Sequence, residues 1–494
     1  MENDVAGKRC LSIFILAMAF LFLQGLGLAE AKDMMEEETM KQKQMMAEEN
    51  KRMGIPPGVN PIHKTYIPVT GDFEAARVKD IKEKDDYLER QRKLLERRYD
   101  LSDRPSKVMM SAGRRAVQEG VRVKLPDGMT WEKLAAMSPE TIKEKGLFPK
   151  GFLPLPHVKH ETGGQVFPDD QIKEIMKLEK RSLERFDTTM DLPTHFLPEF
   201  PPPIFLTSRP DLGDVSQGKL LSIDNYFDLM DGILTPVQME GLRLLLTPFP
   251  QQQFNQTTDR KVDRPSLGVS CFDCHTNGHT NGAFHLNPDT RPHIARFRLD
   301  TVSLRGMFNQ QIHGSKRSLR SIEDFTEFEQ RSAYFDGDQV TAAKKGVSLP
   351  DRGSQVVMMA QMQNMLDFPP APKLTVFGKL DPEKATDQEM LGQEVFFGKG
   401  RCAECHPAPF YLDNRMHDLK AGRFYKPEMI NGQYNISDGP IKSFTLRGIK
   451  DSPPYLHDGR CLTLEDTVEY FNIVTQLNLT QKEKAALTAF MRQL

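Results

Sequence analysis

The chain has 494 residues, which is enough for two or three domains that each bury a core of their own. Its 66 lysines and arginines nearly balance its 68 aspartates and glutamates, so the formal net charge is −2. A chain without a basic surplus is a poor match for nucleic acid, and we expect no nucleic-acid partner.

The N-terminus has the layout of an export signal. The short basic stretch MENDVAGKR precedes the apolar run CLSIFILAMAFLFLQGLGL, and the small-residue sequence AEA follows it. This pattern predicts a signal peptide over residues 1–31 and a mature protein that is periplasmic or otherwise exported. An uncleaved membrane anchor is the alternative, because the apolar run approaches the length that spans a bilayer.

Residues 32–215 are predicted to form an additional N-terminal region, to which no motif assigns a role. Opposite charges four residues apart predict a surface helix over 79–99. An acidic start followed by apolar residues at helical spacing predicts another helix over 169–186. The proline-rich segment 191–206 predicts an extended path over a neighbouring surface.

Two five-residue motifs, CFDCH at 271–275 and CAECH at 402–406, contain four of the six cysteines. In an exported protein thiols either pair or are otherwise committed, so a redox disulfide and a zinc site built from both pairs are open alternatives. Neither explains why a histidine follows each pair. C-x-x-C-H is the attachment signature of haem c, in which both thiols bond the porphyrin and the imidazole binds iron. We therefore predict two covalently bound haems. The residues predicted to hold them are Cys271, Cys274, His275, Cys402, Cys405 and His406.

Both motifs lie in an internal repeat. TVSLRGMFNQQIHGSKRSLRSIEDF (301–325) follows the first motif, and SFTLRGIKDSPPYLHDGRCLTLEDT (443–467) follows the second. Each segment contains Leu-Arg-Gly, and 19 residues after that leucine comes the glutamate of a Glu-Asp pair. A short helical segment also precedes each motif. The repeat predicts two units with the same order: helix, CxxCH, irregular loops, Leu-Arg-Gly, turn and helix.

Few segments alternate between apolar and polar residues, so we predict a mostly α fold with two cytochrome-c-like haem domains in tandem. The first domain is predicted at 216–345, the second at 387–494, and a connection at 346–386. The Met-rich stretch 356–366 in that connection is predicted to pack in the core rather than to supply a sulfur ligand. A capping box at Thr480 begins the last helix, whose apolar face is suited to the first helix of its unit.

The region from Leu220 to Leu494 resembles the bacterial diheme cytochrome c peroxidases and the related MauG-type methylamine-utilisation enzymes. The resemblance is carried by the two CxxCH units, by Leu-Arg-Gly after each, and by PPYLHDGRCLTLEDTVEYFN (453–472). It is strongest from GKGRCAECHPAPFYLDNRMHDL (398–419) onward, and it implies two α-helical haem domains with the haems at their interface. It also implies that one haem takes electrons from a small donor protein, a cytochrome c or a copper protein. The other reduces hydrogen peroxide or, in the MauG-type branch, oxidises a protein.

The resemblance also implies roles for single residues. His275 and His406 match the proximal iron ligands, in agreement with the motifs. His293 falls close to the second ligand of the first haem, with His285 as a second choice. His457, in the His-Asp-Gly turn, is implied to act at the second haem; the alternative is that this turn only shapes the covering loop. Candidates to pair with haem propionates are Arg305 and Arg447.

The sequence departs from the family pattern around both haems. The family's sixth ligand to the second haem, a Met or a Tyr, falls on Phe471, which cannot coordinate iron. Met416 and Met429 are alternative ligands. The family's distal Gln and Glu at the first haem fall on Phe325 and Phe335.

Cleavage of peroxide needs a group that takes a proton from bound peroxide and returns it to the leaving oxygen. Glu323 and Asp324 are the predicted catalytic acids, with Glu327 nearby; a solvated acidic face is the alternative. The Trp that often lies between the haems is missing, and His313 or an aromatic residue is expected in its place unless electrons pass directly between the haems. Gly306 stands where relatives use an Asn near a calcium site, which disfavours calcium.

The preferred function is an exported diheme peroxidase that draws electrons from a small redox protein. A MauG-like or oxygenase-type oxidation of another substrate is the first alternative, because phenylalanine-lined pockets favour O2 or an apolar substrate. A non-catalytic two-haem electron carrier is the second. A homodimer is compatible with the sequence.

Overall fold

The computed structural model describes residues 73–158, 165–183, 188–248, 269–286, 298–316, 318–330, 349–431 and 433–494, together with five single helical residues between 40 and 51. The predicted signal peptide, His293 and Phe335 lie outside the described residues. Within the described ranges, no helix combines the length and the apolar character that a membrane span requires.

Helices and short strands alternate through the N-terminal region. The helices are α1 (Phe73–Arg98), α2 (Trp131–Ala135), α3 (Pro139–Lys145) and α4 (Asp169–Glu179). The strands are β1 (Pro105–Met109), β2 (Ala116–Gln118), β3 (Gln165–Phe167) and β4 (Thr188–Thr189). Both helices predicted here are present, but α4 ends at Glu179 instead of reaching 186, because Lys180 takes a left-handed conformation. The last turns of α1 are buried because Leu94 and Leu95 pack into the core.

The rest of the described chain is mainly helical. Its helices are α5 (Tyr226–Met230), α6 (Pro236–Leu246), α7 (Cys271–Cys274), α8 (Ile322–Phe328), α9 (Val357–Gln363), α10 (Asp387–Phe397), α11 (Leu464–Val474) and α12 (Gln481–Met491). Its strands are β5 (Phe284–Leu286), β6 (Arg298–Asp300), β7 (Met416–Asp418), β8 (Met429–Ile430), β9 (Gln433–Tyr434) and β10 (Pro440–Lys442). The strands are all short, as the scarcity of alternating segments predicted.

The N-terminal region shares a sheet and a core with the remainder of the chain. In the four-stranded sheet the order is β4-β3-β5-β6, with β3 parallel to β4 and antiparallel to β5, and β5 antiparallel to β6. The largest core cluster contains Tyr99 and Phe152 as well as Tyr470, and the rings of Phe152 and Tyr470 meet edge to face. The proline-rich segment 191–206 crosses a neighbouring surface as predicted, since the Pro203 carbonyl accepts a hydrogen bond from Arg305.

Two pairs of crossed helices repeat the same arrangement. Helix α6 begins at a capping box formed by Thr235 and Gln238, and α10 begins at one formed by Thr386 and Glu389. The sixth residue of each helix is a glycine, and both glycines lie where another helix crosses. A Cβ on Gly241 would overlap the carbonyl oxygen of Met358 in α9, and a Cβ on Gly392 would overlap that of Ala486 in α12. Sequence-distant helices therefore approach closely in both pairs because glycine has no side chain. The residues at these two crossings are Gly241, Met358, Gly392 and Ala486.

The Met-rich stretch supplies α9, the partner of α6. Met359 and Met362 are fully buried in a core cluster that also contains Leu242 and Leu245. This agrees with core packing rather than iron ligation. The segment predicted as a plain connection thus provides the helix that crosses α6 in the same way that α12 crosses α10.

The glycines of the two Leu-Arg-Gly segments also occupy equivalent places. Gly306 and Gly448 both have positive φ angles, 78° and 72°, which favour glycine. Gly306 packs against Phe368 and Gly448 against Pro369, the next residue in the chain. Both halves of the repeat therefore meet at one short segment.

Candidate cofactor sites

Each CxxCH motif lines its own cavity. The first cavity has a volume of about 120 Å³ and the second about 380 Å³. Cys271, Cys274 and His275 line the first, whereas Cys402, Cys405 and His406 line the second. Six residues line both cavities, and we call them the common wall: Asp300, Thr301, Val302, Gln310, Ser315 and Phe444. The two cavities are therefore adjacent.

The histidine of each motif is held in the orientation that a metal ligand needs. Nδ1 of His275 lies 2.8 Å from the carbonyl oxygen of Val302, and Nδ1 of His406 lies 2.8 Å from that of Tyr411. Burial lowers the pKa of His275 to about 4 and also lowers the pKa of His406. A neutral imidazole that donates from Nδ1 keeps its Nε2 lone pair for a metal. The residues therefore fit haem iron.

The cysteines do not have the environment of reactive thiols. Burial raises the pKa of Cys271 and of Cys402 to about 12, whereas redox-active thiols have lowered pKa values. No disulfide joins any two of the cysteines among the described residues. No group of three or more His, Cys, Asp or Glu side chains in the described ranges is arranged to hold a metal ion. The raised pKa values of the two thiols disfavour the redox alternative.

The N-terminal region holds the first CxxCH motif in place. The one-turn helix α7 is capped by Ser270, and Asp273 completes the capping box. Arg181 donates to both carboxylate oxygens of Asp273, at 2.6 and 2.9 Å. Gln171 donates to the Asp273 carbonyl oxygen, and Asn281 donates to the same atom at 3.1 Å. No local sequence signal points to these contacts, because Arg181 and Asp273 lie 92 residues apart.

The His-Asp-Gly turn has both a structural role and a place at the second cavity. His457 lines that cavity, and its Nε2 lies 3.2 Å from Oδ1 of Asp438. Arg460 bonds Asp438 at 2.8 Å and Asp458 at 2.7 Å. Burial opposes ionisation of Asp438, but Arg460 and His457 hold its pKa well below its usual range. Asp458 in turn accepts the backbone N–H of Leu155, at 2.8 Å.

The two arginines of the Leu-Arg-Gly segments both line the second cavity, although Arg305 follows the first motif. Each already has a protein partner. Arg305 pairs with Asp451 at 3.2 Å, and Nε of Arg447 donates to the carbonyl oxygen of Leu494 at 2.9 Å. A role toward haem propionates remains a prediction for both.

The predicted catalytic acids are not brought to a cavity. Glu323 and Asp324 line neither cavity, and Asp324 pairs with Arg352 at 2.5 Å on a solvent-exposed face. Glu327 also pairs with Arg352. Their catalytic assignment stays a prediction, and this placement agrees with the solvated-face alternative.

Glu329, which was not predicted as a site residue from the sequence, lines the first cavity. The internal repeat could have found it. Helix α8 with its C-cap residue Glu329, and helix α11, present equivalent positions to the two cavities. These positions are 142 residues apart, which is also the spacing between Leu304 and Leu446. The equivalent pairs are Phe325 with Thr467, Thr326 with Val468, and Glu329 with Phe471.

Phe471, which the resemblance aligns with the family's sixth ligand to the second haem, lines the second cavity. Neither alternative sulfur ligand does: Met416 lies in β7, and Met429 is 48% exposed in β8. Met491 of α12 lines the second cavity and was not singled out from sequence. Met491 lies five residues after the crossing residue Ala486, and Gln363 lies five residues after the equivalent crossing residue Met358 in α9. Gln363 lines the first cavity.

Aromatic and histidine side chains occupy the space between and beside the cavities. Phe444 belongs to the common wall, and His313 lines the first cavity with a buried Nδ1 that has no hydrogen-bond partner among the described residues. Trp131 instead packs on Phe152 in the N-terminal region. The backbone of His285 pairs across the sheet with Leu299, and its role as an iron ligand stays a prediction.

Comparisons with known proteins match part of the chain. A cytochrome-c peroxidase IdrP2 from Denitromonas iodatirespirans is 31% identical over 155 residues, which are 24% of this chain and 42% of that protein. The IdrP2 of Pseudomonas sp. (strain SCT) is 27% identical over 154 residues, 23% of this chain and 41% of that protein. The methylamine utilization protein MauG of Methylorubrum extorquens is 32% identical over 88 residues, 16% of this chain and 24% of that protein. The chain spans less than half the length of each of these relatives.

No protein-family profile matches the chain. A hydrazine synthase structure from Kuenenia stuttgartiensis matches with a TM-score of 0.35 and 20% identity, over 53% of this chain and 93% of that one. A MauG-like protein associated with microbial copper homeostasis matches with a TM-score of 0.37 and 15% identity, over 54% and 91%. Both TM-scores are too low to establish a shared fold. The sequence matches confirm the resemblance predicted from the CxxCH units, in that part of the chain is similar to cytochrome-c peroxidases and to MauG.

Proposed function

We propose that the chain is an exported diheme peroxidase that reduces hydrogen peroxide with electrons from a small redox protein. The observation that carries the proposal is the pair of adjacent cavities, each lined by a CxxCH motif, with a common wall between them. The leader pattern at residues 1–31 supports export. The names of the sequence relatives support peroxidase chemistry.

Haem c, when bound, supplies an iron centre that exchanges single electrons and binds small oxygen ligands. In this proposal the four motif cysteines attach the two haems, and His275 and His406 provide one ligand to each iron. The two units are then the tandem cytochrome-c-like domains predicted from the repeat. Phe444, in the common wall, provides an aromatic side chain between the two sites.

The two cavities have different chemistry at equivalent positions. In the second cavity Phe471 provides no ligand and no proton, which suits a site that only passes electrons. In the first cavity Glu329 provides a carboxylate at the same place in the repeat. We therefore assign peroxide to the first cavity and electron entry to the second.

Glu329 is the group that moves the proton in this proposal. Its carboxylate would take a proton from one peroxide oxygen and return it to the other, which would leave as water. The overall reaction consumes one peroxide, two protons and two electrons and releases two waters. The electrons come from two molecules of a reduced one-electron donor, a cytochrome c or a copper protein.

Phe325 favours a second candidate function. It lines the first cavity where relatives carry a Gln, and an apolar wall suits O2 or an apolar substrate better than peroxide. An oxygenase-type or MauG-like oxidation of another substrate would use the same two sites.

Steady-state turnover tests the proposal. The protein is produced in a host that matures c-type cytochromes, and oxidation of a reduced small cytochrome c is followed with and without hydrogen peroxide. We expect peroxide-dependent oxidation of two cytochrome molecules per peroxide. Protein that carries its haems but leaves the donor reduced in the presence of peroxide would overturn the peroxidase assignment and leave the second candidate.

A further inference from the structure

Lys442 is a buried cation beside the common wall. It is the last residue of β10, and only 3% of its surface is exposed. Its Nζ donates to Oε1 of Gln310 at 2.6 Å and to the carbonyl oxygen of Ser443 at 3.2 Å. The same Nζ lies 4.2 Å from the centre of the Phe444 ring. All of these partners are neutral.

Several other buried cations of the protein have a carboxylate partner. Three arginines form such pairs, as does the similarly buried Lys484, which bonds Glu469. The arginine pairs are Arg298 with Asp191, Arg305 with Asp451, and Arg460 with Asp458. No carboxylate of the described residues lies within 4 Å of Nζ of Lys442.

Asp413 interacts electrostatically with Lys442, but its carboxylate is hydrogen-bonded to other residues. Asp413 accepts hydrogen bonds from His417 at 2.7 Å and from the Ser443 hydroxyl. Burial without a paired anion lowers the pKa of Lys442 to about 7. A buried ammonium is costly unless an anion compensates it, so the site as it stands lacks a negative partner.

The place of Lys442 indicates where that partner comes from. Lys442 lines the second cavity, and Gln310 and Phe444, its nearest partners, belong to the common wall. Its backbone N–H also donates to the carbonyl oxygen of Ser315, another residue of the wall, at 2.9 Å. The cation is thus fixed at the edge of the cavity where a bound ligand would meet it.

We propose that Lys442 is the counter-ion of a carboxylate on the ligand of the second cavity, a propionate of its bound haem. The inference rests on the proposed function only in that the second cavity holds a haem. It differs from the assignment of Arg305 and Arg447, which already have partners in the protein. A single ammonium beside a carboxylate forms a charge-assisted hydrogen bond and neutralises one negative charge near the iron.

The reduction potentials of the two haems in the holoprotein test this proposal. A buried anion without its counter-ion favours the ferric state, so K442M and K442Q should each lower the potential of one haem. We expect a shift of about tenfold in the ferric-to-ferrous equilibrium, which is about 59 mV for a one-electron couple. K442R retains the charge and should stay close to the wild-type value. K484M is the matched control, because it removes a buried lysine that does not line the cavity, and both potentials should be unchanged.

The measurement separates this inference from the proposed function. Two haems whose potentials are the same in wild-type protein, K442M and K442Q would overturn the role of Lys442 and leave the peroxidase proposal standing. An equal shift in K484M would also overturn it, since the effect would then come from any buried lysine. A further outcome is a protein that fails to turn over peroxide while the potential shifts only in the Lys442 variants. That result would support the role of Lys442 and contradict the peroxidase proposal only. A haem-free protein would overturn both.

Discussion

Glu329 stands at the first cavity where Phe471 stands at the second. The two residues occupy the same position of equivalent helical segments, yet one carries a carboxyl group and the other a bare ring. In the proposed function, this difference assigns proton transfer to the first site and electron entry to the second. A carboxyl group can transfer protons, whereas a phenyl ring excludes water and transfers none.

Replacing Glu329 by Gln should slow peroxide turnover strongly. Gln keeps the size of the side chain but cannot take up a proton, and loss of a general acid–base group costs about 100-fold or more in rate. We expect kcat/KM for peroxide to fall by that order in E329Q while haem content stays at the wild-type level. E323Q and D324N test the earlier assignment, and a loss of activity in these variants instead of E329Q would contradict the role of Glu329.

Replacing either crossing glycine by alanine should destabilise the fold. In G241A and G392A the new methyl group meets a carbonyl oxygen of the crossing helix, so the two helices must separate. Overpacking of this kind costs about 1–3 kcal/mol. Chemical denaturation measures the free energy of unfolding, with G353A as the control because the nearest atom to its new Cβ is a flexible side-chain oxygen of Asp351 at 3.3 Å. Wild-type stability in both crossing variants would contradict the close helix approach.

Removing the Arg181 side chain should loosen the first CxxCH motif. In R181M the buried carboxylate of Asp273 loses its cation, and breaking a buried ion pair from one side costs about 3–5 kcal/mol. We expect lower stability in urea together with a change in the visible circular dichroism of one haem. R209Q, which breaks the exposed pair with Asp211, should leave stability close to that of the wild-type protein because solvent screens the pair. Equal effects of R181M and R209Q would contradict the inference that Arg181 holds the first CxxCH motif in place.

Acid should destabilise the protein partly through His313. Burial, with the nearby charge of Lys442, lowers the pKa of His313 from 6.5 to about 4. Because this folded-state pKa is depressed, the unfolded chain takes up the proton first, and stability is lost as the pH falls from about 6.5 toward 4. Denaturation midpoints measured across this range should fall less steeply for H313Q than for wild-type protein. Parallel curves for the two proteins would show that His313 does not contribute.

Local signals predicted the parts of the structure that depend on neighbouring residues. The capping box at Thr480 begins α12 as expected, because Glu483 lies within reach along the same helical turn. The apolar face of α12 packs on α10 as its spacing predicted, with Phe490 against Phe396. The acidic start of α4 likewise falls at Asp169.

Contacts between distant segments could not be predicted in the same way. The pairing of Arg181 with Asp273 and the bonds from the Arg122 and Val123 backbone to Asp466 depend on how the N-terminal region folds back on the repeat. No periodicity or motif in the sequence indicates that the N-terminal region packs against the repeat in this way. Glu329 is a different case, because the repeat spacing marks its position. The family's distal Gln, by contrast, aligns with Phe325.

The intact mass of the purified mature protein tests the central claim most directly. We expect the mass of the polypeptide plus two haems, with the haems retained under denaturing conditions because each is attached through a cysteine pair. The double variant C402S/C405S should retain one haem. A wild-type mass equal to that of the bare polypeptide, from a host that matures other c-type cytochromes correctly, would contradict the account.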